Sequence, residues 1–305
     1  MEILCPLRAC AEIEPLLGAG ARHFYAGVDS EVLFGSSAWA SPIINCRPWP
    51  GCNFETDESV RAACEAIRRE DGRLYVTFNW HSYRSWELSA ILEFLSRHDG
   101  LAGVVLADLT LLDQIRKTLP RLRLILGTVA NVQNAGAVEF FRQRGVSQFV
   151  LPRHLTIGEI ERIVSGHPDL EFEVFIKNQD CFFSQGLCYY THDKIDPAVP
   201  YKCNSVRRVV PSRAFSPAEE EALSTHQATL LRSCGVCAIQ AFRDAGVAAV
   251  KLVGREIPLE SKLQDFVFIR RAIETAGSRA GEFGEGVRRL HEEIYGGGCA
   301  RDCMY

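Results

Sequence analysis

Leu74-Tyr-Val-Thr-Phe-Asn-Trp80, Gly103-Val-Val-Leu-Ala107 and Leu122-Arg-Leu-Ile-Leu-Gly127 are three short runs of strand-forming residues, and between them lie the amphipathic stretches Trp86–Arg97 and Leu111–Thr118. Strands apolar on both faces that alternate with helices predict a parallel sheet covered by those helices. Outward from this stretch the alternation continues. Glu2–Cys5, His23–Val28, Gln148–Leu151, Phe172–Ile176 and Ala248–Val253 read as strands, and Ser59–Glu70, Ala135–Arg144, Ile157–Val164 and Ala238–Ala245 as helices. About eight such units favour an α/β chain closed as a TIM-like (β/α)8 barrel over an open doubly wound sheet. No Gly-x-Gly-x-x-Gly follows the first strand and no Gly-Lys-Ser/Thr loop occurs, so the nucleotide-binding signatures of open sheets are missing.

Composition narrows the function classes. At 305 residues and 47% hydrophobic content the chain can bury a large core without disulfides. Its first residues, Met1-Glu2-Ile3-Leu4-Cys5-Pro6, lack an export signal, which predicts a cytoplasmic protein. No apolar run approaches the roughly 20 residues of a membrane span, so no membrane insertion is expected. A net charge of −4 exerts no general pull on nucleic acid, although a local basic groove is compatible with it.

Two segments break the alternation: Asp29–Glu55, and Asn178–Ser233 between the seventh and eighth strands. Long loops in a compact domain are usually functional, and in a barrel those after strand ends form the active-site face. The barrel is expected over 1–280 with a cysteine-rich insertion at 178–235, followed by a tail at 281–305. Polar residues at strand ends should ring the mouth. Asn79, His81, Arg153, Lys177 and Arg255 are the candidate catalytic residues, with the arginines as clamps for a carboxylate or phosphate.

Five of the twelve cysteines, Cys181, Cys188, Cys203, Cys234 and Cys237, fall around the exit of the seventh strand and the start of the next helix. In a reducing compartment such a set reads as metal ligands, for an iron–sulfur cluster or zinc. A cysteine in the first turn of that helix is expected to have its thiolate favoured. Cys46 and Cys52 lie in the first long loop, which is expected to fold across the mouth. Cys299 and Cys303 follow Gly296-Gly297-Gly298, a flexible joint that lets the tail reach back. A second metal site from these four is an alternative. Cys5, Cys10 and Cys64 are expected in the core.

Glu173-Val-Phe175, followed by Cys181, four residues, Gly186, one residue and Cys188, resembles the signature of the collagenase-like peptidase U family. Cys237 before a helix, Gly246-Val247, and Val250-Lys251-Leu-Val-Gly254-Arg255 resemble its second landmark. Asn53-Phe54 and Leu151-Pro-Arg153 also fall where the family has comparable features. Asn178, Gln179 and Asp180 depart from the signature, as do Tyr190 and His154, which argues for a substrate of its own.

The resemblance implies more than the family name does. Its members include proteins linked to oxygen-independent hydroxylation of a quinone precursor or of RNA bases, and several carry a 4Fe-4S cluster on four cysteines. By resemblance Cys181, Cys188 and Cys203 are ligands here, with Cys237 or Cys234 as the fourth. The expected activity is an iron–sulfur-dependent hydroxylase or related redox enzyme with a small-molecule or RNA substrate. The alternatives are a peptidase, or a cluster-bearing accessory subunit with a paralogous partner, since some members work in pairs. Hydrolysis has no mechanism in these residues: neither His-Glu-x-x-His nor Gly-x-Ser-x-Gly occurs.

Overall fold

The computed structural model describes residues 1–35, 43–178, 186, 214, 216–221, 234–277, 280–299 and 303–305. Eight parallel strands pair in sequence order and the eighth closes on the first. They are β1 (Glu2–Leu7), β2 (His23–Ala26), β3 (Arg73–Phe78), β4 (Gly103–Leu106), β5 (Arg123–Leu126), β6 (Gln148–Val150), β7 (Glu171–Lys177) and β8 (Ala249–Leu252). The helices are α1 (Ile13–Gly18), α2 (Ser30–Phe34), α3 (Asp57–Arg69), α4 (Ser85–Arg97), α5 (Leu109–Thr118), α6 (Ala135–Arg142), α7 (Ile157–Ser165), α8 (Ile239–Asp244), α9 (Leu259–Thr275) and α10 (Ala280–Tyr295). The closed TIM-like barrel expected from the alternation is the fold. No helix among the described residues is long and apolar enough to cross a membrane.

The period-2 geometry of each strand divides its side chains between two buried layers. Phe24, Phe78, Phe149 and Phe172 face outward into the layer shared with the helices, where burial of each contributes roughly 1.5–3 kcal/mol. Leu4, Tyr25, Tyr75, Val105, Ile125, Val150, Phe175 and Ala249, one from each strand, form a separate cluster inside the barrel, and Met304 packs into it. Several helices begin on a side chain that accepts a backbone N–H: Thr56 for α3, Asp108 for α5, Asn134 for α6 and Thr156 for α7. Each such cap is worth about 1 kcal/mol and fixes where the strand-to-helix loop ends.

One cysteine departs from expectation. Cys5 and Cys64 are buried, but Cys10 is exposed, in a 3₁₀ turn, with its thiol donating to the Ser59 carbonyl.

Candidate active site at the barrel mouth

Closure of the sheet turns a few polar strand residues into the lumen. Glu173, fully buried on β7, accepts from Lys251 Nζ at 2.6 Å through Oε1 and from Gln148 Nε2 at 3.0 Å through Oε2. Lys251, on β8, also lies 4.1 Å from the centre of the Tyr25 ring, a cation–π contact, and Tyr25 donates its hydroxyl to the Leu252 carbonyl at 3.0 Å. Burial raises the Tyr25 phenol well above its ordinary value, so it stays a donor. The lumen therefore carries an ion pair under the mouth. Thr77 Oγ1, buried on β3 in the same wall, makes no hydrogen bond among the described residues.

Above this layer lies a pocket of about 570 Å³ of empty space, its open mouth included, lined among others by Cys46, Arg47, Asn79, Thr128, Lys251 and Arg255. Arg255 follows β8, is 4% exposed, and donates to Asn53 Oδ1 at 2.6 Å and Asn45 Oδ1 at 2.9 Å. These partners are neutral amides. No carboxylate among the described residues pairs with the guanidinium, and burial pulls its pKa below the usual arginine value. Glu256 is within reach of Arg47, at 3.7 Å. A buried guanidinium held only by amides, beside Arg47 and Lys251, favours an anionic group in the pocket.

The first long loop builds one side of this mouth. Asn45 Nδ2 donates to the Val28 carbonyl and to Asn53 Oδ1, and the Cys46 amide donates to Asn79 Oδ1 at 3.1 Å. The Cys46 thiol donates to the Asn79 carbonyl at 3.4 Å. Gly27, at the end of β2, leaves the space in which Arg255 meets Asn53: a Cβ there would run into both Arg255 Nη1 and Asn53 Oδ1. Gly27→Ala is expected to cost about 1–3 kcal/mol by overpacking, read as a lower urea midpoint at unchanged m-value. A midpoint equal to wild type would show that Arg255 can move aside freely.

The five candidate catalytic residues do not all converge. Asn79 and Arg255 line the pocket. Arg153 is buried just past β6 and lies close enough to Tyr305 for its charge to bear on that phenol. Lys177, at the end of β7, pairs with Asp265 at 3.2 Å and sits 5.1 Å from the Tyr295 ring centre. Asp265 is also held by Asn178 at 2.7 Å and Tyr295 at 2.5 Å, so this cation belongs to a rim network. His81 is exposed and leans on Trp80, with ring centres 4.4 Å apart. Glu173, Lys251, Tyr25, Thr77 and Arg47 were not among the candidates, although Glu173 and Lys251 stand out in the sequence as charges inside apolar strands.

Cys181, Cys188 and Cys203 lie outside the described residues. Gly186, of the same signature, is described: a Cβ on it would come within 2.6 Å of the Val129 carbonyl and also meet Asn131, which puts this point of the insertion against the loop after β5. Cys234 forms a bridge with Lys177, and Gly235 donates to the Ile176 carbonyl at 2.7 Å, placing the pair Cys234 and Cys237 at the exit of β7. Both are half-buried and neither is in a disulfide. The expectation of a favoured thiolate is overturned in this state. Cys237 sits in a 3₁₀ turn before the six-residue α8, and burial, reinforced by neighbouring thiols, pushes it up to about 11, with Cys234 also raised. Desolvation outweighs so short a helix dipole. Such thiols are suitable soft donors, but they stay protonated until a metal displaces the proton.

The family profile described as Peptidase family U32 matches residues 9–296. tRNA hydroxylation protein P of Helicobacter pylori (strain J99) is 26% identical over 190 residues, 62% of this chain and 42% of that protein. tRNA hydroxylation protein P1 of Bacillus subtilis (strain 168) is 27% identical over 138 residues, 45% and 32% of the two chains. tRNA hydroxylation protein P of Escherichia coli (strain K12) is 32% identical over 89 residues, 29% and 20% of the two. The chain thus spans less than half the length of each of these relatives. A solved U32 peptidase structure aligns over 58% of this chain and 69% of its own, with a TM-score of 0.46 and 12% identity.

Proposed function

The chain belongs to peptidase family U32, matched over residues 9–296, and from that premise we propose that it is a redox enzyme that hydroxylates an RNA base at the barrel mouth. The observation that carries the reading is the mouth itself: a buried, amide-held Arg255 beside Arg47 and above the Lys251–Glu173 pair. An RNA phosphate, or a carboxylate on a small co-substrate, supplies the charge that this cradle lacks. The names of the relatives, tRNA hydroxylation proteins, support tRNA as the RNA concerned.

The expected cofactor is a 4Fe-4S cluster held by Cys181, Cys188 and Cys203, with Cys237 or Cys234, both at the exit of β7, as the fourth ligand. When bound, it supplies electron transfer without molecular oxygen. The chain's own residues then have separable roles: Arg255 and Arg47 hold the anion, Asn79 and Thr77 offer hydrogen bonds to a polar group, and Lys251 sets the charge beneath it.

The test starts with protein purified without oxygen, analysed by ultraviolet–visible spectrum and for iron, sulfide and zinc. A brown protein with near-equal iron and sulfide is expected, and Cys181→Ala should remove both the colour and the gain of one oxygen atom in tRNA nucleosides measured by mass. A colourless wild type, or a Cys181→Ala protein that hydroxylates normally, sinks the reading. A cluster-bearing protein that acts only with a paralogous partner would reassign it as an accessory subunit.

A further inference from the structure

The turn that carries Arg255 is braced from outside the barrel. Gly254 takes a φ of +108°, which side chains rarely allow, and a Cβ there would run into Ile257. The Ile257 amide closes the turn on the Gly254 carbonyl at 3.2 Å. Behind the turn stands Lys262, near the start of α9 and 1% exposed. Its ammonium donates to both Glu12 oxygens, at 2.9 and 2.8 Å, and to the Arg255 carbonyl at 3.0 Å, so its three N–H groups have three acceptors.

Glu12 is fixed in turn from the exit of β1. Arg8 donates to it through its backbone N–H at 3.1 Å and through Nε at 3.0 Å, and reaches the Glu256 carbonyl through Nη1 at 3.4 Å. The Glu256 carboxylate lies 3.7 Å from Arg47. One turn therefore carries two cations of the mouth, Arg255 on its own backbone and Arg47 through Glu256. Packing alone does not account for the buried pair behind it. Burial pulls the Lys262 pKa below the usual lysine value although Glu12 opposes the shift, and apolar side chains of similar volume would hold α9 on β1 as well or better. What they would lack is the donor to the Arg255 carbonyl.

We propose that Glu12 and Lys262 are positioning residues: they hold the backbone of Arg255 so that its guanidinium faces the mouth and takes the anionic group of the substrate or co-substrate. Neither lines the pocket, so both act through Arg255. The inference rests on the reading of Arg255 as the anion-holding group, and it adds what keeps that group aimed. A planar fork must sit within a fraction of an ångström of its partner to form two hydrogen bonds, so a turn free to shift would lose the contact.

Two variants of the full chain test it. Glu12→Leu/Lys262→Met replaces the pair by apolar side chains, and Lys262→Met alone leaves Glu12 to Arg8. Urea unfolding shows which of them fold. The guanidinium N–H signals of Arg255, identified in ¹H–¹⁵N spectra by their absence from Arg255→Met, should exchange slowly with water in wild type and at least about tenfold faster in either variant, because such protons exchange only when their hydrogen bonds open. A wild-type guanidinium that exchanges freely, equal exchange in a folded variant, or failure of both variants to fold overturns the proposal. The second readout is kcat/KM for tRNA hydroxylation. Lys262→Met should lower it roughly ten- to a hundredfold, the scale of a misplacement of about 1 Å, yet change it less than about threefold in an Arg255→Met background. Equal losses in both backgrounds would make Lys262 a structural residue and overturn the proposal. Faster exchange with unchanged turnover would leave the positioning standing and strike the anion-holding role of Arg255 instead. A wild type without hydroxylase activity sinks the hydroxylase reading, while the exchange rates still decide this one.

Discussion

Glu173→Ala is expected to lower the unfolding free energy by about 3–5 kcal/mol, the usual consequence of removing one partner from a buried ion pair. Glu173 has no solvent exposure, and both of its oxygens are engaged, by Lys251 at 2.6 Å and Gln148 at 3.0 Å. Without the carboxylate, the Lys251 ammonium stays in the lumen with the Tyr25 ring as its remaining favourable contact among the described residues. Desolvation then disfavours its charge, and the Gln148 amide loses its acceptor. Glu173→Leu/Lys251→Met separates this cause from a simple cavity: replacing the pair by apolar side chains of similar volume should restore stability to within about 1–2 kcal/mol of wild type. Urea unfolding at matched m-value is the measurement. A single variant as stable as wild type would mean that Lys251 reaches another partner and that the pair does not organise the lumen.

That ion pair also marks where the sequence stopped being readable. All eight strands were legible, to within one or two residues at their ends, because each is a short apolar run bounded by turns; Phe172–Ile176 became Glu171–Lys177, and Leu74–Trp80 became Arg73–Phe78. What a strand buried on both faces does not show is which alternate set faces the lumen. Gln148, Glu173 and Lys251 meet across the neighbouring strands β6, β7 and β8, and closure of β8 on β1 brings Thr77 of β3 round to the same lumen.

The six helices expected from the sequence fall within two residues of α3 to α8, whereas α9 and α2 went unread for a different reason. In α9 the buried face carries Lys262, which donates to both Glu12 oxygens at 2.9 and 2.8 Å and to the Arg255 carbonyl at 3.0 Å, and Asp265, which holds Lys177. Those charges interrupt the apolar periodicity that reveals a helix. At five residues, α2 is too short to show a period at all, so the segment from Asp29 read wholly as loop. At the site, Asn79 and Arg255 were found because they lie at or just past strand ends that were placed to within two residues. Arg153, Lys177 and His81 satisfy the same rule but point to other parts of the rim, since position after a strand does not fix side-chain direction.

Arg255→Met should separate function from stability in the opposite sense to Glu173→Ala. The guanidinium is buried without a carboxylate among the described residues, so its removal relieves a desolvated charge while leaving Asn45 Oδ1 and Asn53 Oδ1 without that donor. The two effects have similar size and opposite sign, about 1–3 kcal/mol for the lost hydrogen bonds against the relief of the unpaired cation. Stability should therefore change by no more than about 1 kcal/mol. Turnover of RNA should not survive so well. If Arg255 pairs with an anionic group of the substrate or co-substrate, truncating it removes a desolvated charge contact worth about 2–5 kcal/mol, a fall of roughly thirtyfold to a few thousandfold in kcat/KM. Arg255→Lys should recover little, because a single ammonium cannot span both amides and still face the pocket as the planar fork does. Residues kept for binding rather than folding show this split. A variant that loses 3 kcal/mol or more of stability, or that keeps kcat/KM within threefold of wild type, would make Arg255 a structural strut and leave the anion to Arg47 and Lys251.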